Sequence, residues 1–258
     1  MDLRLENNVA VVLGASRGIG RAIAGELGRE GCRLAICARG RDDLDAAAGG
    51  LRAEGAEVMA RTVDLVDDGA VEAFLAAVTQ QLGPIDVLIG NVGGNRRGTV
   101  AETSLEDWRA VWQLNVESHV RAARAVVPAM TARGSGSIVF IASIFGREAG
   151  GEGLAIYNAT KSALISMAKI LALEVAPHGV RVNTVAPGSI RFPGGSWDRR
   201  CEQDPDGMRQ FVEANLPIGR FGRADEVADA VAFLASERAS LITGACVNVD
   251  GGQSRSLI

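Results

Sequence analysis

Val9-Ala10-Val11-Val12-Leu13 runs directly into Gly14-Ala15-Ser16-Arg17-Gly18-Ile19-Gly20, and Ala22, Ile23 and Leu27 then continue at helical spacing. A short β-branched strand, a glycine turn and an amphipathic helix, in that order, leave few architectures open. Glycines let a backbone approach a pyrophosphate closely. The helix N-terminus adds unpaired N–H groups and the positive end of its dipole. An ordinary tight turn between strand and helix would use the same residues, so the functional reading needs support from elsewhere in the chain.

The same alternation repeats. Apolar runs at Arg33–Ala38, 57–63, 85–90, 137–142, 180–185 and 245–250 read as further strands. Helical patterns lie between them, among them 104–130, 156–177 and 223–237. Strand–helix alternation predicts one α/β domain over residues 1–258, a Rossmann fold with a doubly wound, seven-stranded parallel sheet and right-handed crossovers. Residues 188–216 break the periodicity, and a long irregular stretch in a compact domain is expected to form a substrate loop or lid. Within 104–130, Ser104 is a plausible N-cap. Trp108, Val111 and Trp112 come next at i, i+3 and i+4, a spacing that suits core or subunit interface.

Nearly half of the 258 residues are apolar and aromatics are few, with 32 glycines. That mixture suits helices packed closely on a buried parallel sheet. The formal charge is −4 with both signs scattered, unlike the basic stripe of a nucleic-acid binder. Cys32, Cys37, Cys201 and Cys246 show neither metal spacing nor a disulfide framework, and no His cluster adds to them. The longest apolar stretch, around 164–176, is interrupted by Lys169 and Glu174 and is too short to span a bilayer. A strand succeeds the charged N-terminus directly, without a signal-peptide pattern, so a soluble, cytoplasmic protein is expected.

The second strand ends Cys37-Ala38-Arg39. A chain that prefers NAD usually places Asp or Glu here, roughly 20 residues past the glycines, to hold the ribose 2′-hydroxyl. Arg39 stands there instead, and Arg17 lies inside the glycine loop. Two guanidiniums suit a 2′-phosphate, which Arg binds bidentately, and favour NADP(H) over NAD(H).

Tyr157 is the chain's single tyrosine, and Lys161 lies four positions on. That spacing puts both on one helix face, a turn apart. A phenol titrates near pH ~10, and a nearby cation lowers that value towards neutrality. Such a tyrosine exchanges a proton with a carbonyl or hydroxyl oxygen at working pH. Ser143 falls at the carboxyl end of a strand, where ligands bind in open α/β sheets. Asn115 interrupts a helix where an amide is unfavourable without a purpose.

Gly14-x-x-x-Gly18-x-Gly20, Asn91-x-Gly93, Asn115, Ser143, Tyr157-x-x-x-Lys161 and Pro187-Gly188 together resemble the short-chain dehydrogenase/reductase family, over nearly the whole chain. Within it the sequence looks most like 3-oxoacyl-[acyl carrier protein] reductases. The resemblance implies that Tyr157 is the general acid and that Lys161 tunes it while holding the nicotinamide ribose. It makes Ser143 the group that polarises the substrate oxygen, with Asn115 supporting Lys161 through a water chain. Asp64 and Leu65 would flank the adenine. Asn91, Gly93, Pro187, Gly188 and Ile190 would line the cofactor together with Gly14, Ser16, Arg17, Gly18, Ile19 and Gly20. A homotetramer through the helices of 104–130 and 156–177 is also implied.

The sequence departs from the family pattern in several places. Gly90 replaces the first Asn of its Asn-Asn-Ala-Gly element, Val92 replaces the Ala, and Leu13 replaces a Thr. Phe192 stands where a threonine would bind the nicotinamide carboxamide, leaving backbone groups near Ile190 to substitute. One extra residue between Ser143 and Tyr157 predicts a bulge at 148–154 beside the substrate. The expected activity is NADPH-dependent reduction of a ketone, with a 3-oxoacyl thioester as the first substrate. A sugar, polyol or cyclic alcohol is the alternative, and a non-catalytic cofactor-binding sensor a third reading. Arg147, Arg191, Arg199 and Arg200 could attract the phosphates of a carrier or coenzyme A thioester, or could be merely exposed charges.

Overall fold

β1 (Val9–Leu13) is buried along its whole length, and the other elements are arranged around it. The computed structural model describes residues 2–257. After β1 come α1 (Gly18–Arg29), β2 (Arg33–Ala38), α2 (Arg41–Ala53), β3 (Val58–Thr62), α3 (Ala70–Leu82) and β4 (Val87–Gly90). Next are α4 (Leu105–Trp112), α5 (Ser118–Arg133), β5 (Gly136–Ile141), α6 (Ala155–Val175) and β6 (Val180–Pro187). β7 (Ile190–Arg191), α7 (Ser196–Gln203), α8 (Pro205–Asn215), β8 (Gly222–Arg223), α9 (Ala224–Ala235) and β9 (Cys246–Val249) complete the chain.

The expected doubly wound sheet is present: seven parallel strands in the order β3-β2-β1-β4-β5-β6-β9. Interior strands such as β1 and β4 are apolar throughout because helices cover both sheet faces. On one face Ile23 and Leu27 of α1 pack with Val227 and Val231 of α9 over Val12, Ile89 and Val139. On the other, Phe74 and Val78 of α3, Val126 of α5 and Leu164 of α6 cover Val11, Leu88 and Phe140. Each such side chain contributes about 1.5–3 kcal/mol by leaving water. The strand order turns back between β1 and β4, which opens a crevice beyond their carboxyl ends.

Two expectations need correction. The single helix of 104–130 is instead α4, a π-helical turn over Gln113–Glu117, and α5 extending to Arg133. Ser104 caps it as anticipated: its Oγ accepts from the Asp107 N–H at 3.1 Å, and Asp107 accepts from the Ser104 N–H at 3.2 Å. Trp108 is half-buried, but Trp112 is 46% exposed and lies outside the core. Both tryptophans lie in α4, ahead of the π-turn, and of the two readings for this face the exposed Trp112 leaves the subunit interface open rather than the core.

The stretch 188–216 is structured rather than irregular. α7 buries no residue of its own, which hides its periodicity in the sequence. α8 begins with Pro205 in its first turn, and Asp204 Oδ1 accepts from Gly207 N–H at 2.9 Å. Trp197 packs 4.7 Å from Phe211 and 5.3 Å from Phe221, ring centre to ring centre, tying α7 to α8 and β8. β7 and β8 pair in parallel at the base of this unit.

Candidate active site

The glycine loop after β1 is shaped by contacts that only glycine permits. A Cβ on Gly20 would lie 2.2 Å from the Gly14 carbonyl oxygen and 2.4 Å from Asn91 Nδ2. Asn91 Nδ2 donates to that same Gly14 oxygen at 2.8 Å, so it fastens the loop to the end of β4. Gly18 has φ +57° and opens α1, where no side chain caps the first-turn N–H groups. Those free donors fit a pyrophosphate, and Arg17 and Ile19 line the cleft beside them. The residues present therefore match a dinucleotide cofactor.

Phe192, which replaces the family threonine, lies over this loop. Its ring atoms come within 2.6 Å of where a Gly18 Cβ would stand and 3.0 Å of one on Gly195. The backbone around Ile190 is already engaged. The Ile190 side chain is buried, β7 pairs with β8, and the Ser189 carbonyl accepts from Gly222 N–H at 3.0 Å. Ser189 N–H donates to Gln253 Oε1 at 2.8 Å. Gln253 lines the same cleft with an amide side chain, and no motif in the sequence singles it out.

The titratable group assembles where β4, β5 and α6 meet. Ser143 lies just past β5 and is buried, with its Oγ accepting from Phe145 N–H at 3.2 Å. Tyr157, half-buried in the first turn of α6, lines the cleft with Ser143, whose hydroxyl favours the ionised phenol. Lys161 is 3% exposed, and its Nζ donates to the Ile141 carbonyl at 2.8 Å. Gly93 allows this approach, since a Cβ there would lie 3.2 Å from Nζ. Asn115 stands behind, fully buried. Its Oδ1 accepts from Gly94 N–H at 2.8 Å, while Nδ2 donates to the Gly94 carbonyl at 2.9 Å and to Thr160 Oγ1 at 3.0 Å. Thr160 Oγ1 in turn donates to the Tyr157 carbonyl at 3.0 Å. The buried amide thus joins the β4 loop to the α6 turn carrying the tyrosine.

The protonation balance differs from the sequence expectation. Burial pushes the Tyr157 phenol above its ordinary value, with the Ser143 hydrogen bond pulling the other way. Burial outweighs any help from Lys161, and it lowers the lysine itself to about 8. Its Nζ is turned to the Ile141 carbonyl and lies 5.8 Å from the centre of the phenol ring. Low-polarity surroundings penalise both charged forms. The Tyr157 phenol accordingly keeps its proton at neutral pH.

Ser143, Tyr157, Lys161, Asn91, Gly93, Pro187, Gly188 and Ile190 all line one cleft of about 870 Å³ with Arg17 and Ile19. Arg39 lies just past β2, and Asp64 and Leu65 just past β3, along the same carboxyl edge but outside this cleft. Asp64 Oδ1 accepts from Val66 N–H at 3.2 Å, and Leu65 is buried. Of the extra-residue loop only Leu154 reaches the cleft. Glu148 turns away, accepting from Ser254 Oγ at 3.1 Å and Arg255 N–H at 2.9 Å.

The four candidate arginines separate in the same way. Arg147 donates to Asn248 Oδ1 at 2.6 Å and braces β9, while Arg191 pairs with Asp198 at 2.9 Å. Arg199 and Arg200 do reach the cleft, joined by Arg96 and Arg97, which no sequence pattern singles out. The turn after Gly94 places that second pair. Among the described residues no His/Cys/Asp/Glu cluster could hold a metal, and no helix is long and apolar enough to cross a membrane.

The fold agrees with comparisons to known proteins. A family model described as enoyl-(acyl carrier protein) reductase matches residues 14–254. The chain is 37% identical to the 3-oxoacyl-[acyl-carrier-protein] reductase FabG of Escherichia coli (strain K12), over 97% of this chain and 98% of the relative. It is 36% identical to gluconate 5-dehydrogenase of Gluconobacter oxydans (strain 621H), over 96% and 95%. The crystal structure of L-sorbose reductase from Gluconobacter frateurii, complexed with NADPH and L-sorbose, superposes with a TM-score of 0.93, at 37% identity and full coverage of both chains. The chain belongs to the short-chain dehydrogenase/reductase family of oxidoreductases.

Proposed function

We propose that this protein is an NADP(H)-dependent carbonyl reductase. The observation that carries the reading is Ser143, Tyr157 and Lys161 lining one cleft with the glycine loop, braced by buried Asn115. When bound, the nicotinamide supplies the hydride that reaches the carbonyl carbon. Ser143 donates a hydrogen bond to the carbonyl oxygen and stabilises its growing negative charge. Tyr157, protonated at neutral pH, delivers the proton that completes the alcohol. Lys161 presents a cation within 5.8 Å of the phenol ring and steadies the phenolate left behind. Asn115 acts through Gly94 and Thr160 as a positioning residue.

Arg17 and Arg39 carry no carboxylate partner among the described residues, which supports a 2′-phosphate between them. Asp64 and Leu65 would meet the adenine along the same edge. Exposed Leu105 and Trp112 on α4, with Ile170 and Leu173 on α6, support burial of these faces in a homotetramer.

A 3-oxoacyl thioester remains the first substrate, in keeping with the similarity to FabG. A sugar or polyol is the second reading, favoured by the similarity to gluconate 5-dehydrogenase and L-sorbose reductase. The test is oxidation of NADPH and NADH, monitored by absorbance, with acetoacetyl-coenzyme A and with L-sorbose, beside a Tyr157→Phe control. Tyrosine-dependent turnover preferring NADPH is expected. Turnover that survives loss of the phenol would overturn the reading.

A further inference from the structure

The cleft that holds Ser143 and Tyr157 is lined by six basic side chains and not one carboxylate, in a chain with more acidic than basic residues. Arg17 belongs to the glycine loop and Lys161 to the proton-transfer group. The other four are Arg96 and Arg97 from the turn after β4, and Arg199 and Arg200 from α7. Two separate segments therefore bring guanidiniums to one cavity. Like charges so placed repel one another, which costs stability unless an anion comes between them.

A second cavity is also lined by arginines, but these are neutralised. Arg191, Arg209, Arg220 and Arg223 on the far side of α7 and α8 each contact an Asp or Glu within 3.0 Å. Arg97, Arg199 and Arg200 form no ion pair among the described residues, though the Asp198 charge is felt by Arg199, and Arg96 has only a 3.6 Å contact with Asp107. Arg200 is nonetheless held in place, its guanidinium 4.9 Å above the Trp197 ring, and Arg199 is anchored to the Gly194 carbonyl. Stacking fixes the planar fork in advance and leaves its N–H edge for a ligand. Beside them Asn95 Oδ1 is shielded from water without a hydrogen-bond donor, an acceptor that a ligand hydroxyl or amide would satisfy.

We infer that the substrate is an anion: a ketone that also carries a carboxylate or phosphate, bound through Arg97, Arg199 and Arg200, with a hydroxyl or amide donor against Asn95. The inference rests on the carbonyl-reductase reading and specifies its substrate class. Two sources share this chemistry, a carboxylate on a small hydroxylated keto acid and the phosphates of a coenzyme A thioester.

Two matched pairs of ketones separate them. 5-Keto-D-gluconate and L-sorbose differ by a carboxylate against a hydroxymethyl group. Acetoacetyl-coenzyme A and acetoacetyl-N-acetylcysteamine share an acyl group and differ in the phosphates. In one pair the anionic member is expected to have about 10²-fold higher kcat/KM, the size of a charge-assisted contact. The preference should fall below about tenfold in Arg97→Gln/Arg199→Gln and persist in Arg209→Gln, which lies outside the cleft. The pair that responds names the source. Equal use of neutral and anionic members, or a variant that raises KM for NADPH alone, would overturn the inference.

Calorimetric titration of all four ketones into the NADPH-bound protein keeps the test independent of turnover. An anionic ketone that binds to wild type and weakens in the double variant, without being reduced, would retain the charge inference and sink the carbonyl-reductase reading. If no anionic member binds more tightly than its neutral counterpart, the charge inference fails.

Discussion

Gly90 and His119 share one space: a Cβ on Gly90 would lie 2.5 Å from His119 Cδ2 and 2.6 Å from Phe140 Cδ1. The imidazole is fully buried, edge-on to Phe140 at 5.5 Å, with Ser118 Oγ 3.2 Å from Nδ1. Where the family carries an asparagine at the end of this strand, the present chain carries glycine and fills the space from α5. Gly90→Ala is expected to destabilise by about 1–3 kcal/mol through overpacking. In a His119→Ala background that cost should fall, leaving the part due to Phe140. A double-mutant cycle by urea unfolding measures the coupling, and additive costs would show the two positions independent.

His119 also sets an acid limit on stability. Burial, with the Lys161 charge behind it, lowers its pKa to about 3. The unfolded chain binds this proton near the ordinary value of 6.5 and the folded protein does not. Stability from this residue is therefore present above 6.5 and is lost as pH falls from there towards 3. The wild type should lose about 1.4 kcal/mol per pH unit more than His119→Asn across that window. Urea midpoints at several pH values provide the measurement, and parallel curves would contradict it.

Lys161 works in the opposite pH range. Its folded pKa is about 8 against an ordinary 10.5, so burying the charge opposes folding at neutral pH, and stability rises as pH climbs through that interval. Activity should move the other way. Once the ammonium loses its proton, the cation 5.8 Å from the Tyr157 ring is gone, and kcat for reduction is expected to fall above pH 8. A pH–rate profile flat to pH 10 would separate the lysine charge from the chemistry.

Tyr157→Phe removes the proton donor while keeping the ring that packs in the first turn of α6. A loss of roughly 10²–10⁴-fold in kcat is expected, with NADPH affinity changed little. Stopped-flow turnover and fluorescence titration of the cofactor read the two effects separately.

Gly20→Ala tests the cofactor loop without touching the proton-transfer group. The added methyl would meet the Gly14 carbonyl and Asn91 Nδ2, so the loop must open and the α1 amides must turn away. NADPH binding should weaken at least ~10²-fold, comparable to losing two charge-assisted hydrogen bonds. Near-native affinity would show that the loop does not hold the pyrophosphate.

Much of this protein is legible in its sequence because the information is local. The β1–Gly14–α1 unit, the apolar strands and the Tyr157–Lys161 spacing arise from backbone periodicity and residue type, which act within a few positions of the chain. The tertiary structure decided matters that depend on distant neighbours. It broke the helix of 104–130 with a π-turn, and held residues 188–216 in two helices through Trp197, Phe211 and Phe221. It pushed the Tyr157 phenol above its ordinary value through burial, because solvation reflects everything packed around a group. It assigned Arg147 and Arg191 to structural partners while bringing Arg96 and Arg97 to the cleft beside Arg199 and Arg200. A charge in a sequence has no environment until the fold supplies its partners, and here the fold left three arginines lining the cleft without an ion pair among the described residues.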